Sequence, residues 1–244
     1  MNVLEVTNVS KSFVDNQVIN DFNLTLKAGK STVIVGKSGT GKTTLVKIIS
    51  GIIKPDTGAV GLLGKSINNN STAAGSIGYV PQSPSLLQSM KVRENVLLPL
   101  KIASKHVDVS TVAQMIRLLR LEGFEGYYPY QLSRGQQQRV SLARGLVLNP
   151  KVLVLDEPFA SVDEIAKEEL NLELLRLKAT LKLSFILVTH SIEEAVFLAD
   201  EIIVLSDDGS YKKIKIDFGK KSRTVELKNT KKFFEYQSMI RRML

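Results

Sequence analysis

The stretch GKSGTGKTT, residues 36–44, fits the spacing G-x-x-x-x-G-K-[ST] at Gly36, Gly41, Lys42 and Thr43. Gly36, Gly39 and Gly41 let the backbone N–H groups of the loop, Lys37, Ser38, Thr40 and Thr44 included, converge on phosphate oxygens. Lys42 then spans the β- and γ-phosphates of a nucleoside triphosphate, and the Thr43 hydroxyl is a hard oxygen ligand for Mg²⁺. A helix beginning near Lys42 adds the partial positive charge of its N-terminus. The plain alternative is a glycine turn that binds nothing. An apolar strand before it and a helix after it disfavour that alternative.

A second group of residues supplies charge and proton chemistry. VLVLDEP, residues 152–158, puts two carboxylates at the end of a strand that reads as buried. Asp156 suits Mg²⁺, directly or through water, and Glu157 suits a base that orients water for in-line attack on a γ-phosphate. Helix capping is the plainer role for this pair. Two charges at the end of a core strand need a cation or a wet crevice, which weakens it. His190 ends FILVTH and stands where it could donate to a γ-phosphate; alone it would read as a satisfied polar residue. Gln82 follows IGYVP, where its amide could ligate Mg²⁺ or hold the attacking water. Phe13 lies in a loop upstream of the glycine-rich stretch, where it could stack on an adenine or simply fill core. His106, in a polar loop, keeps the plainer reading.

QLSRGQQQRV, residues 131–140, sets Ser133, Arg134, Gly135 and Gln136 just ahead of a predicted helix. Such a corner either caps the helix or binds an anion. Beside a first phosphate site with a helix terminus of its own, it is redundant within one chain. It becomes useful if it closes over a nucleotide held by another copy, two chains about a two-fold axis burying two ATP molecules.

These residues need elements to hold them. Residues 2–8 and 17–26 read as paired strands, STVIVG (31–36) as a buried strand, TLVKIISGI (44–52) as a helix, and 59–67 and 77–81 as further strands. From Ser83 to about Leu148 the pattern turns helical. KVLVLDEP, SFILVTH and EIIVLSDDG then alternate with two helices. The class is α/β: a parallel sheet covered by helices, with a helical lobe inserted mid-chain. Residues 207–244 are expected to add two short strands and a last helix.

The chain has 244 residues, 43% hydrophobic and 23% charged, enough for a sizeable core. It has no cysteine, which removes disulfides and thiolate metal sites and fits a reducing compartment. The first ten residues lack the layout of a signal peptide, and no apolar run approaches the roughly 20 residues a bilayer requires. The expectation is a soluble chain whose membrane role, if any, comes through a partner. Of the net charge of +9, residues 207–244 supply six, from eleven Lys/Arg against five Asp/Glu. Such a tail can attract nucleic acid or lipid headgroups; a solvated surface is the favoured reading.

Phe13, GKSGTGKTT, Gln82, LSRGQQQR, VLVLDEP, SVD at 161–163 and His190 occur in the order in which they do in the nucleotide-binding subunits of ATP-binding cassette transporters, which this chain resembles over residues 2 to about 206. The resemblance implies a RecA-like P-loop core with an antiparallel β subdomain and an inserted α-helical subdomain (about 83–148), all within an ATPase domain at 1–206. A basic extension, 207–244, follows. It implies ATP and Mg²⁺, with Phe13, residues 36–44, Ser133, Arg134, Gly135, Gln136 and Asp163 around the nucleotide. Thr43, Gln82 and Asp156 would be at the metal, and Glu157, His190 and Gln82 would be catalytic. Asp163 belongs to the loop that speaks across a head-to-tail dimer, closed by ATP and reopened by hydrolysis. One departure stands out: Arg134 replaces the first glycine of the family's commonest signature, LSGGQ, so its backbone need not sit as a glycine's does.

The partners implied are a second nucleotide-binding subunit, integral membrane permease subunits and a solute-binding protein, at the cytoplasmic face of the inner membrane; no nucleic acid is expected. Leu86, Leu87 and Met90, after Gln82, are candidate permease contacts. DEPFASVD leans toward importers, and YPYQLSRGQQQRVSLARGLVLNPKVLVLDEPF is similar to nitrate, sulfonate and taurine-type ATPases. A lipid or lipoprotein exporter, or a mechanotransmitting ATPase that moves no solute, would share these motifs. A nucleic-acid-associated cassette is disfavoured by the single cassette and the absence of sustained heptads.

Overall fold

A computed structural model describes residues 1–14, 16–67, 75–103, 109–219 and 223–244, Val109 by its backbone alone. His106 lies outside the described residues. Two sheets organise the chain. The first is antiparallel, in the order β2-β1-β4-β5, from β1 (Asn2–Phe13), β2 (Asn16–Lys27), β4 (Thr57–Leu62) and β5 (Lys65–Ser66). The second has six strands, in the order β10-β9-β3-β8-β7-β6: β3 (Ser31–Gly36), β6 (Ile77–Val80), β7 (Val152–Asp156), β8 (Ser184–Thr189), β9 (Glu201–Leu205) and β10 (Tyr211–Lys215). Its strands run parallel except β10, which pairs antiparallel with β9.

The central strands are apolar throughout because both faces are covered, and alternate side chains go to opposite cores. Ile34, Val152, Val154, Ile186 and Val188 face α1 (Lys42–Ile49), itself roofed by Leu4, Val6, Phe22 and Leu24 of the antiparallel sheet. Val33, Val35, Leu153, Leu155, Phe185 and Leu187 face the other way. There they meet the remaining helices: α2 (Val92–Ile102), α3 (Val109–Leu118), α4 (Arg134–Leu146), α5 (Glu164–Leu181), α6 (Ile192–Leu198) and α7 (Lys231–Arg241). α2, α3 and α4 lie between β6 and β7 in sequence, where the helical lobe was expected.

Three local expectations are revised. Residues 59–67 are not one strand, because Leu63 (φ 50°) and Gly64 (φ 77°) turn the chain between β4 and β5. Phe13 is the last residue of β1, opposite Asn16, rather than in a loop. Among the described residues, the tail forms one strand, β10, then a 3₁₀ turn at Val225–Asn229 and α7.

The tail is also less free than its composition suggests. Lys212, Lys213 and Lys215 are exposed on the edge strand, where charge discourages pairing with another chain. By contrast, Arg223 donates to the carbonyl oxygens of Phe197 (2.6 Å) and Ala199, capping the end of α6. Lys228 bridges Glu168 of α5 and Glu193 of α6 at 2.7 and 2.8 Å.

At the N-terminal ends of β3 and β9, opposite the end that carries the glycine loop, Asp200 receives Lys178, the Ser31 N–H and, at 3.5 Å, Lys30. Burial alone would raise its carboxyl, but the Lys178 hydrogen bond and charge, with Ser31 and Lys30, outweigh it and hold the group down to about 2. A depressed carboxylate stabilises the fold above its ordinary value of 3.8, and that contribution is lost as pH falls through about 2. Asp200→Asn should therefore cost about 2 kcal/mol at pH 7. In urea titrations the gap from the parent chain should narrow to about half by pH 3. A pH-independent gap would refute the assignment.

Candidate functional site

β3, β7 and β8 end side by side, and the site is built on their C-terminal ends. β3 ends at Gly36, where an added Cβ would stand 2.7 Å from the Leu205 carbonyl oxygen and 2.9 Å from Thr40 Oγ1. Gly41, at φ 86°, is pressed on β2: a Cβ there would meet Val18 Cγ1 at 2.5 Å. Only glycine fits either position, so the loop is clamped between β2 and β9. Gly39, at φ 88°, has nothing within 4 Å of where a Cβ would be, on the open side of the loop with exposed Lys37 and Ser38. Thr40 is buried and donates to the Lys37 carbonyl at 3.0 Å, and Thr44 is half-buried in α1.

Lys42 curls back into this loop. Its ammonium donates to the carbonyl oxygens of Gly36, at 2.8 Å, and Lys37. Burial lowers its pKa, partly offset by the charges of Glu157 and Asp156. Thr43, the next residue, donates from Oγ1 to Asp156 Oδ1 at 3.0 Å. Asp156 is 3% exposed; burial raises its pKa, opposed by hydrogen bonds from Thr43 and Tyr79. The Tyr79 hydroxyl donates to Asp156 Oδ2 at 3.1 Å.

Glu157 adopts φ 44°, in the left-handed region that non-glycine residues avoid, and its N–H donates to the Val188 carbonyl at 2.9 Å. That turn swings its side chain out of the core. Oε2 of Glu157 meets Gln82 Nε2 at 3.5 Å and His190 Nδ1 at 3.3 Å. Gln82 is exposed in the bend after β6, and His190 is exposed just after β8. Thr43, Gln82, Asp156, Glu157 and His190, with Lys42 next to Thr43, thus come together from four sequence segments.

Phosphate and Mg²⁺ both suit these residues. The loop exposes backbone on its open side beside an ammonium held by two carbonyls. The Thr43–Asp156 pair offers two hard oxygens, and no cluster of three or more His, Asp or Glu side chains among the described residues could hold an ion by itself. Mg²⁺ held by one carboxylate, one hydroxyl and substrate phosphates fits such a donor set.

The other expected residues lie elsewhere. Ser133 caps α4, accepting from the Gln136 N–H at 3.2 Å, while the Gln136 side chain accepts from the Ser133 N–H at 2.8 Å. The SRGQ stretch is therefore a reciprocal capping box, and the cap reading of the sequence holds within this chain. Arg134 and Gly135 begin the helix; Arg134 is exposed, near Gln82 and Ser161 around a shallow cavity. Asp163 caps α5, accepting from the Ala166 N–H at 3.0 Å. Among the described residues, no hydrogen bond links 133–136 or Asp163 to residues 36–44. Phe13, 46% exposed, has the Lys11 ammonium 5.4 Å from its ring centroid.

Two contacts had escaped sequence reading. Tyr79 reads as one more apolar residue of a short strand, and nothing in its spacing marks the phenol. Arg144 of α4 donates at 2.9 Å to the carbonyl oxygens of both Pro84 and Ser85, tying the segment after Gln82 to the helix that Ser133 caps. Leu86 packs in the core, so of the three candidate docking residues Leu87 is exposed and Met90 half-buried.

The family model described as ABC transporter matches residues 19–160. The chain belongs to the ABC transporter family. Its relatives include the sulfate/thiosulfate import ATP-binding protein CysA of Thermosynechococcus vestitus, 39% identical over 83% of this chain and 61% of that protein. The spermidine/putrescine import ATP-binding protein PotA of Clostridioides difficile is 40% identical over 84% of this chain and 59% of that protein. This ABC chain thus spans about three-fifths of the length of these curated relatives. The ATP-binding cassette MJ0796, solved as a dimer in a post-hydrolysis state bound to ADP and Pi, superposes with a TM-score of 0.78 at 29% identity, over 88% of this chain and all of that one. The α/β architecture is that of ABC cassettes.

Proposed function

We propose that this chain is the ATP-hydrolysing subunit of an ABC import system, working as a dimer that drives a membrane permease. The observation that carries the reading is the meeting of Gln82 and His190 on one oxygen of Glu157, beside the Thr43–Asp156 pair and Lys42. The loop 36–44 binds the triphosphate through its N–H groups, and Lys42 exchanges its two carbonyl acceptors for phosphate oxygens. Thr43, Asp156 and Gln82 hold Mg²⁺, which neutralises charge on the phosphates when bound. Glu157 takes a proton from water as the water oxygen bonds to the γ-phosphorus. The bond to the β–γ bridging oxygen breaks, and its electron pair leaves with ADP. His190 steadies Glu157 and donates toward the γ-phosphate, and Phe13 stacks on the base.

Ser133, Arg134, Gly135 and Gln136 of one copy cap the nucleotide held by the other, with Asp163 at the same junction. The capping box is compatible with this role: Ser133 Oγ accepts within its own helix, which leaves its O–H free to donate. Residues 1–206 form the ATPase domain with its helical lobe at about 83–148, and 207–244 a basic extension fastened to α5 and α6. No helix among the described residues is long and apolar enough to cross a membrane. Attachment to the inner membrane's cytoplasmic face accordingly runs through permease subunits docked near Leu87, with a solute-binding protein completing the importer. An inorganic anion and a polyamine are named for relatives of nearly equal similarity, 39% and 40%, so cargo does not follow cassette identity.

Phosphate release from Mg-ATP tests the reading. Specific activity should rise with protein concentration, since each site needs two chains, and should vanish with a chelator. Specific activity independent of concentration across the range in which gel filtration detects monomer would contradict it.

A further inference from the structure

We propose that Tyr79 is a positioning residue for the metal: its hydroxyl locks the Asp156 carboxylate in the orientation that receives Mg²⁺. The inference rests on the proposed nucleotide site and adds a residue to it. Tyr79 sits on the edge strand β6, opposite Val154 of β7, and packs on the face of the sheet that carries α1. From there its hydroxyl reaches Asp156 Oδ2 at 3.1 Å while Thr43 reaches Oδ1 at 3.0 Å. Asp156 has almost no contact with solvent, so these two donors replace the water its oxygens would otherwise have.

The two donors differ in kind. Thr43 is itself a candidate ligand, and its hydroxyl oxygen must turn toward the ion as the ion binds. Tyr79 has no such second duty. A carboxylate rotates easily about its last torsion, since that sp³–sp² bond has only broad, shallow preferences. A fixed donor on Oδ2 removes that freedom and leaves Oδ1 directed at the Thr43 side. Partners of this kind, one step removed from a metal, set affinity through the orientation of the ligand they hold.

Tyr79→Phe keeps the ring and its packing and removes only the hydroxyl. Two quantities separate the proposed role from a merely structural one. The first is binding of a fluorescent ATP analogue in chelator, which reads the fold and the loop 36–44. The second is the Mn²⁺ concentration at half-saturation of the nucleotide-bound protein, read from the loss of the free-ion EPR signal. The variant should bind the analogue in chelator as the parent does, and should need about tenfold more Mn²⁺. An unchanged Mn²⁺ midpoint would overturn the proposal. So would equal weakening of both quantities, which would mean that the hydroxyl supports the fold rather than the ion. A parent chain that binds no nucleotide would instead remove the proposed function on which the inference rests.

Discussion

Glu157→Gln should lower turnover by about 10²- to 10⁴-fold, the range for loss of a positioned general base, while leaving nucleotide affinity intact. The glutamine side chain has the same length and shape. Gln82 and His190 both meet Oε2 of Glu157, at 3.5 and 3.3 Å, and an amide in its place can still pair with each. What disappears is the capacity to take a proton from water. With binding preserved and cleavage blocked, ATP should hold two chains together long enough to appear as a dimer in gel filtration. Hydrolysis at the parent rate would show that another group is the base.

Lys42→Ala should act at the earlier step. Lys42 is buried, with its ammonium paired with two loop carbonyls beside the charges of Asp156 and Glu157. Deleting it removes a cation held inside the loop and takes a donor from each of those carbonyls. Loss of a buried, hydrogen-bonded charge partner costs about 2–5 kcal/mol, or roughly 30- to 5,000-fold in affinity. Titration with a fluorescent ATP analogue should register that loss even in chelator, because the lysine acts without the metal. Unchanged affinity would contradict the role given to the glycine-rich loop.

The site was legible in the sequence to the extent that its chemistry is local. Residues 36–44 form strand, turn and helix within one short segment, so the spacing of Gly36, Gly41, Lys42 and Thr43 already encodes the loop. The pairing of Gln82 with Glu157, and of His190 with the same oxygen, is not local. It follows only from the order β8-β7-β6, which sets those three strand ends side by side. The family resemblance could anticipate that meeting; periodicity could not. Tyr79 and Arg144 were hidden for a simpler reason. A phenol in an apolar strand and an arginine on a helix have many ordinary uses, and their acceptors lie 77 and about 60 residues away in sequence. The tail was legible in part: most of its described cations face water, as a solvated surface predicts, but a lysine count does not tell that Lys228 and Arg223 hold the extension to the core.

Each triphosphate is taken to lie between two copies, gripped by residues 36–44 of one and capped by Ser133 and Gly135 of the other. Complementation between two disabled variants examines this most directly. A chain with Lys42→Ala keeps its capping corner, and a chain with Ser133→Arg keeps its cradle; each alone should be inactive. Mixed in equal amounts, they should regain phosphate release, because one of the two shared sites in a mixed dimer is then built entirely from undamaged parts. A mixture as inactive as its components, although the mixed dimer forms, would place cradle and cap of each nucleotide in a single chain and contradict the account.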